Sequence, residues 1–377
     1  MNPFVFDRPL RDGPQIGRVE ELAELVKRFD DGTNTRLVSP RDYGKTSLLY
    51  RLCGHLDKVG FGAVLVDLYG VTSLEQLAHR ISDAYADLPD SRITRLVSSI
   101  RRRGGTAGLV SPVGGGNLGV GGEGGSLQLL TDSLKLPEKI FEKTGNRQLV
   151  VFDEFQEVLA ANLDAQIRSV IQHQGDNVTY VFSGSHPGMM RELFTDKGRP
   201  FYNQAAPLEL GRFSDEAVSD FVGERFDETS KSMDSVLDRF LEITDGHPQR
   251  TMLMAHLLWD QVPMKSSADD DLLDSALEDA GAYVEDEFRA IWDRSSTLER
   301  RILEATADGL QSLRGKEATQ KYGLPNGSAG ETAAKRLAGS GVLLEIRPNE
   351  KRGFRIDDPF LARWIRRGRR WKAQTGD

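Results

Sequence analysis

A chain of 377 residues with 38% apolar residues is long enough for two to three domains, the first with a sizeable core. Its formal net charge of −8 makes the chain acidic overall, so any phosphate-backbone contact falls to a local basic patch, and its single cysteine, Cys53, excludes a disulfide within the chain and fits a reducing cytoplasm. No apolar run reaches the roughly 18 residues of a membrane span, and the opening MNPFVFDRPLRDG lacks the apolar centre of a signal peptide, so a soluble cytoplasmic protein with no membrane partner is expected.

In chain order, an amphipathic helix is predicted from about Glu20, then a strand over Thr35–Ser39 that runs into a helix from Lys45. The junction, SPRDYGKTS, has the parts of a phosphate-binding loop. Gly44 allows close approach of backbone to a phosphate, Lys45 reaches the β/γ oxygens, Thr46 offers a hydroxyl to Mg²⁺, and amides at the helix start bind the anion. Ser39 stands where the G-x-x-x-x-G-K-[ST] pattern has glycine. A strand over Ala63–Leu68 delivers Asp67 to the same sheet edge, either as a structural group or on the nucleotide side, and helices follow from Ser73 and Leu136.

Between those helices, Arg101, Arg102 and Arg103 precede a glycine-rich stretch at about 104–126. Such glycine density resists helix and predicts a loop or short hairpin, either a basic partner-binding element or a surface insertion. The next strand, Gln148–Phe152, is apolar throughout and ends in Asp153 and Glu154, the way a buried parallel strand presents carboxylates. In a nucleoside triphosphatase the first holds Mg²⁺ and its waters and the second polarises the attacking water. After a helix from Asp164, a strand over Thr179–Ser183 leads into GSHPG, where Ser183 or Ser185 is placed to sense the γ-phosphate. Alternating strands and helices predict an α/β fold, a parallel sheet with helices on both faces.

From about Phe213 only helices are predicted, over Ser214–Glu228, Ser232–Thr244 and Pro248–Gln261. MKSSADDD, at 264–271, has a linker's composition, and an acidic helix runs from Leu272 to about Arg294. Helices at Thr297–Ala307, Gly315–Tyr322 and Ala329–Ser340, then a two-stranded turn at Pro348–Asn349–Glu350, read as a winged helix. Its third helix carries Lys335 and Arg336, its wing Arg347, Lys351, Arg352 and Arg355. The tail interleaves Arg366, Arg367, Arg369 and Arg370 with Trp364 and Trp371. DNA backbone and a protein surface stand as equal alternatives for this basic region. The expected domains are 1–212, 213–263, 264–294 and 295–377.

Asn2-Pro3-Phe4, Ile16-Gly17-Arg18, the loop SPRDYGKTS, Asp153-Glu154-Phe155-Gln156, the segment IRSVIQHQGDNVTYVFSGS, Pro200-Phe201-Tyr202, Gly246-His247-Pro248 and Asp358 to Ile365 occur in one order. In that series the chain resembles the archaeal-type P-loop ATPases of the AAA+/STAND group, which also occur in bacteria. The resemblance covers nearly the whole length, with Ser39 and Asp42 as departures in the loop. It implies ATP as the nucleotide, with Mg²⁺, bound by Ser39, Pro40, Arg41, Asp42, Tyr43, Gly44, Lys45, Thr46 and Ser47. It further implies Thr46 and Asp153 at the metal, Glu154 as catalytic base and Ser185 as first sensor. The helices of 213–263 become a lid whose Gly246 and Pro248 touch the nucleotide, with Arg250 as second sensor. Arg168, and less strongly Arg212, are candidates for an arginine reaching into a neighbouring subunit of a self-associated ring. Two functions follow: an ATPase acting on DNA, for which the basic tail speaks, or a nucleotide-loaded switch with little turnover whose winged helix binds protein, for which Ser39 speaks.

Overall fold

The computed structural model describes residues 1–377 other than 12, 89, 106–122, 326–327, 347–352 and 372–377. The chain divides into two compact units, one of residues 18–39 and 45–210, the other of 1–17, 40–44 and 211–377.

The first unit is built on five parallel strands, β1 (Thr35–Val38), β2 (Gly62–Asp67), β3 (Gln148–Asp153), β4 (Val178–Gly184) and β5 (Ala206–Glu209), in the spatial order β2-β3-β4-β1-β5. Every residue of β3 and β4 is buried, as a parallel strand covered on both faces requires. Helices α1 (Val19–Asp30) and α2 (Lys45–Lys58) cover one face, where Phe29, Leu48, Leu52 and Leu56 pack with Leu37, Leu149, Val151 and Val181. Val150, Phe152, Tyr180 and Phe182 point the other way, the period-two alternation of a strand. Arg147, just before β3, donates to the carbonyls of Phe29 (2.6 Å) and Asp30 (3.0 Å), which satisfies orphan acceptors at the C-terminus of α1.

On that other face lie α3 (Leu74–Ala86), α4 (Ser91–Gly105), α5 (Glu123–Leu134), α6 (Leu136–Thr144), α7 (Glu157–Ala160), α8 (Asp164–Ile171) and α9 (Pro187–Thr195). Of the glycine-rich stretch, 106–122 lies outside the described residues. Its end does not follow the expectation of loop or hairpin: α5 begins at Glu123, inside the stretch. Burial of Leu129, Leu130 and Leu134 in the apolar cluster beside α3 and α4 overrides the weak helix propensity of two glycines. β5 is absent from the sequence reading, because a four-residue edge strand that contains Pro207 carries almost no strand signal. Phe155 of the acidic motif meets Phe182 at 4.6 Å between ring centroids and Phe201 at 5.2 Å. Both aromatic motif residues are therefore core, worth about 2–3 kcal/mol each for burial alone.

The second unit contains α10 (Asp215–Glu228), a 3-10 turn (Asp234–Val236) leading into α11 (Leu237–Thr244), α12 (Pro248–Gln261) and the 25-residue α13 (Asp270–Arg294). Then come α14 (Thr297–Ala307), α15 (Lys316–Tyr322), α16 (Ser328–Gly339), the antiparallel pair β6 (Leu343–Ile346) and β7 (Gly353–Ile356), and α17 (Pro359–Arg366). Ser296 and Glu299 form a reciprocal capping box at the start of α14. The N-terminal segment joins this unit rather than the sheet. Asn2 Nδ2 donates to His256 O (3.0 Å) and Asp260 Oδ1 (2.8 Å), and the Phe4 ring lies 5.6 Å from that of Phe226. One continuous core runs from Phe4 through α10–α17 to Trp371. The linker-like segment at 264–271 is pinned to Ser230 and Ser232 by main-chain bonds of 2.8–3.1 Å, and its Ala268 is buried. Among the described residues no helix is long and apolar enough to cross a membrane.

Candidate nucleotide site

Parallel strands end together at one edge of their sheet, so β1, β3 and β4 bring Ser39, Asp153 and Ser185 there; β4 lies between β1 and β3. Carboxyl ends of parallel strands are where α/β sheets bind ligands. The loop between β1 and α2 solves its backbone problem differently from the glycine-first pattern. Ser39 does not occupy the left-handed region; Asp42 (φ +65°) and Gly44 (φ +77°) do. Aspartate tolerates that region better than most side chains. Lys45, 5% exposed, donates through Nζ to Ser39 O (3.1 Å) and Ser39 Oγ (3.2 Å), so the serine hydroxyl joins the two ends of the loop.

Thr46 Oγ1 donates to Asp153 Oδ2 at 2.7 Å. A hydroxyl and a carboxylate side by side are hard oxygen donors suited to Mg²⁺, which takes one or two protein ligands and completes its shell with phosphate oxygens and water. Among the described residues no group of three His, Cys, Asp or Glu could hold a metal unaided; the pair fits a cation that arrives with a polyphosphate. Ser47 follows Thr46 on the first turn of α2.

Beyond Asp153, Glu154 adopts φ +53°, and the Phe155 N–H donates to Ser183 O at 2.8 Å, which turns the chain back across β4. Glu154 Oε2 accepts from Ser185 Oγ at 2.6 Å and from Gln156 Nε2. Gln156 Oε1 accepts from the Ser185 N–H at 3.2 Å. Of the two serines proposed as sensor, Ser185 therefore meets the acidic motif; Ser183 Oγ is fully buried with no partner among the described residues. The sequence reading quotes Gln156 in its motif and gives it no role, since no spacing rule marks a glutamine as part of a carboxylate network. Arg168, half-buried on α8, has a guanidinium with no ion-pair or hydrogen-bond partner among the described residues, and burial alone lowers its pKa.

The remaining candidates lie in the second unit. There Tyr43, buried like its partner, donates to Asp357 Oδ1 at 2.5 Å, and its ring meets His247 edge-on at 5.3 Å. Pro40, Arg41 and Asp42 are the neighbouring loop residues of the same unit. Gly246 (φ +63°) donates no side chain to anything; a Cβ there would overlap the carbonyl of Phe213, whose N–H binds Gly246 O at 2.9 Å. It is a backbone crossing, and Pro248 opens α12 as its first residue.

Arg250 is committed elsewhere: Nε reaches Asp358 Oδ2 at 2.8 Å and Nη2 the same oxygen at 2.5 Å, with Glu287 Oε2 at 3.3 Å. Only 5% of its side chain is exposed, so here it is an internal ion pair instead of a free sensor. Arg212 likewise binds Asp245 and the main-chain oxygen of Asp357.

The two tryptophans interleaved with the basic tail are core residues. Trp364 and Trp371 are 1% and 0% exposed, and Trp371 Nε1 donates to Leu277 O at 2.9 Å. Apolar rings at helical spacing are buried by α13 and α17 before any ligand can reach them. Arg336, Arg367 and Arg369 pair with Glu299 (3.6 Å), Glu278 (2.7 Å) and Glu304 (3.2 Å). Lys335, Arg366 and Arg370 have no ion-pair partner among the described residues. Arg347, Lys351 and Arg352 lie outside them.

Burial pushes the His247 imidazole down to about 3, while its Nδ1 caps α12 by accepting from the Arg250 N–H at 3.4 Å. A histidine that ionises near 6.5 when unfolded and near 3 when folded supports folding fully above pH 6.5 and loses that support as pH falls toward 3. Burial raises Asp357 from 3.8 to about 6, which acts in the opposite sense: its contribution is present below about pH 4 and lost on rising through 6. His247→Asn keeps a capping acceptor and removes the imidazole. Urea unfolding followed by tryptophan emission between pH 6.5 and 4 should show a flatter acid limb in the variant; limbs that run parallel would refute the assignment.

No family profile matches the chain, and no curated protein matches it by sequence. Among solved structures, a Walker-type ATPase of Pyrococcus abyssi superposes with a TM-score of 0.70 at 18% identity, covering 96% of this chain and 99% of that one. The Aeropyrum pernix ORC2 protein in its ADPNP–ADP complexes gives 0.56 at 18% identity, with 96% and 97% covered. The likeness at this identity concerns the fold: the parallel sheet and helices expected from the resemblance to AAA+ P-loop ATPases are the fold these proteins share.

Proposed function

We propose that this chain binds ATP with Mg²⁺ at the edge formed by β1, β3 and β4 and hydrolyses it. The observation that carries the reading is the Thr46–Asp153 hydrogen bond of 2.7 Å, which joins two segments 107 positions apart at the point where a phosphate-bound cation needs oxygen ligands. Lys45 would neutralise the β/γ oxygens, and the amide groups at the start of α2 would bind them. When bound, Mg²⁺ supplies charge neutralisation on the phosphates. Glu154 would accept the proton of the attacking water, and Ser185 would hold the glutamate in place. Residues 40–44, which belong to the C-terminal unit, continue directly into Lys45, and that covalent continuity gives the helices and the β6–β7 ribbon, read as lid and winged helix, a route to respond to nucleotide.

For the C-terminal partner, a protein surface is favoured over DNA by the buried tryptophans and by the acidic partners of Arg336, Arg367 and Arg369. The test is nucleotide titration and phosphate release by wild type and Lys45→Ala, with and without duplex DNA at two salt concentrations. Wild type should bind ATP with Mg²⁺, and Lys45→Ala should bind about 10- to 100-fold more weakly, the loss of charge-assisted hydrogen bonds worth about 1.5–3 kcal/mol. Equal affinity of the two proteins would defeat the site assignment. DNA stimulation that fades with salt would reverse the preference for a protein partner.

A further inference from the structure

We propose that Gln156 is a positioning residue for hydrolysis, its side-chain amide fixing one carboxylate oxygen of Glu154 and leaving the other to take the proton of water. The inference rests on the ATPase reading above. Gln156 is 1% exposed and uses both ends of its amide: Nε2 donates to Glu154 Oε2 and lies 3.4 Å from Ser185 Oγ, while Oε1 accepts from the Ser185 N–H at 3.2 Å. With the Ser185 Oγ–Glu154 Oε2 bond of 2.6 Å, three side chains close a triangle.

Each corner is costly to leave open. A buried amide without partners gives up its hydrogen bonds to water with nothing in return. Glu154, at φ +53°, holds a left-handed conformation that is unfavourable for a non-glycine residue and persists only where surrounding contacts over-determine it. The backbone of β4 makes room for the arrangement: a Cβ on Gly184 would stand 2.7 Å from Gln156 Oε1, so the amide reaches Ser185 only past a glycine.

The consequence is an asymmetric carboxylate. Oε2 accepts two hydrogen bonds, whereas Oε1 accepts none among the described residues, although Glu154 itself is partly exposed. A base must present a free lone pair within hydrogen-bond reach of the water it deprotonates. Anchoring Oε2 turns Oε1 outward and removes the rotational freedom that would otherwise spread it over several positions. Gln156 touches no reacting atom in this scheme; it acts through Glu154.

Steady-state phosphate release and nucleotide binding by wild type, Gln156→Met and Gln156→Glu, across pH, test the proposal. Gln156→Met keeps the length of the side chain and removes both polar groups. It should lower kcat about 10- to 100-fold, the scale of a misplaced reacting group, and leave the ATP dissociation constant within about 3-fold. Gln156→Glu can donate to Glu154 only when one proton is shared between the two carboxylates. Its kcat should rise toward wild type as pH falls, a limb absent from Gln156→Met and from wild type. A purely structural role would change melting temperature without creating that limb. If Gln156→Met does not fold, the limb in Gln156→Glu decides alone. Wild-type or higher kcat in Gln156→Met, or a Gln156→Glu profile parallel to wild type, overturns the positioning role; absence of phosphate release by wild type overturns the ATPase reading itself.

Discussion

Glu154→Gln should lower the steady-state rate of ATP hydrolysis by about 10²- to 10⁴-fold, the contribution of a general base, while ATP still binds with an affinity within a few-fold of wild type. The substitution is unusually clean at this position. Both groups that bind Glu154 Oε2, the Ser185 hydroxyl and the Gln156 amide, are donors, and the carbonyl oxygen of a glutamine accepts from both without rearrangement. The change falls on the other oxygen, which becomes an NH₂ that cannot take a proton. Thr46 and Asp153, the pair proposed to bind the cation, are untouched. Phosphate release paired with nucleotide titration checks the prediction. Equal loss of binding and turnover would place Glu154 in the binding surface, and retention of turnover would remove it from the reaction.

The second large effect concerns stability. Arg250→Ala should destabilise the C-terminal unit by about 3 kcal/mol, because it leaves the largely buried Asp358 carboxylate without the guanidinium whose two nitrogens donate to its Oδ2. That value is the lower end for a broken buried pair, as Asp358 keeps 16% side-chain exposure and two backbone donors, Phe360 N–H at 2.8 Å and Leu361 N–H at 3.4 Å. Arg250→Lys should recover only part, since an ammonium cannot reproduce the two-nitrogen grip or the stacking over Phe288 and Phe360. The readout is specific: all four tryptophans, Trp259, Trp292, Trp364 and Trp371, belong to the C-terminal unit. Urea unfolding monitored by tryptophan emission therefore reports that unit. A variant of unchanged midpoint but altered ATP response would restore Arg250 as a sensor of nucleotide.

The sheet edge proposed to bind nucleotide was legible because its signals are local. An apolar run followed by Gly44-Lys45-Thr46, and another followed by Asp153-Glu154, each fit within about a dozen residues, and strand periodicity places their ends without knowledge of the rest. Most helices of the C-terminal unit were legible for the same reason, since apolar spacing marks α10, α12, α14, α15 and α16 closely, whereas α11 starts later than the expected Ser232, α13 begins inside the stretch read as a linker, and α17 was not read as a helix. Gln156 escaped notice because its proposed role depends on a partner 29 positions away, just past the end of the neighbouring strand.

By itself, then, the sequence determined the strands and helices of strongest period, β1 to β4 among them, and which side chains stand at the ends of β1 and β3, since both follow from backbone period and turn chemistry; β5 and α5 took tertiary contacts to form. Tertiary structure decided how those side chains are used. Arg250 reads as a sensor by its place after Gly246-His247-Pro248, yet Asp358, 108 positions later, takes its charge. Trp364 and Trp371 read as part of a basic stretch, yet α13 covers them. Asn2-Pro3-Phe4 reads as a family mark, yet it is an anchor on α10 and α12. Charge pairing and burial depend on which distant surfaces meet, and the free energy of a buried charge or ring is set by those neighbours and not by the residues beside it in the chain.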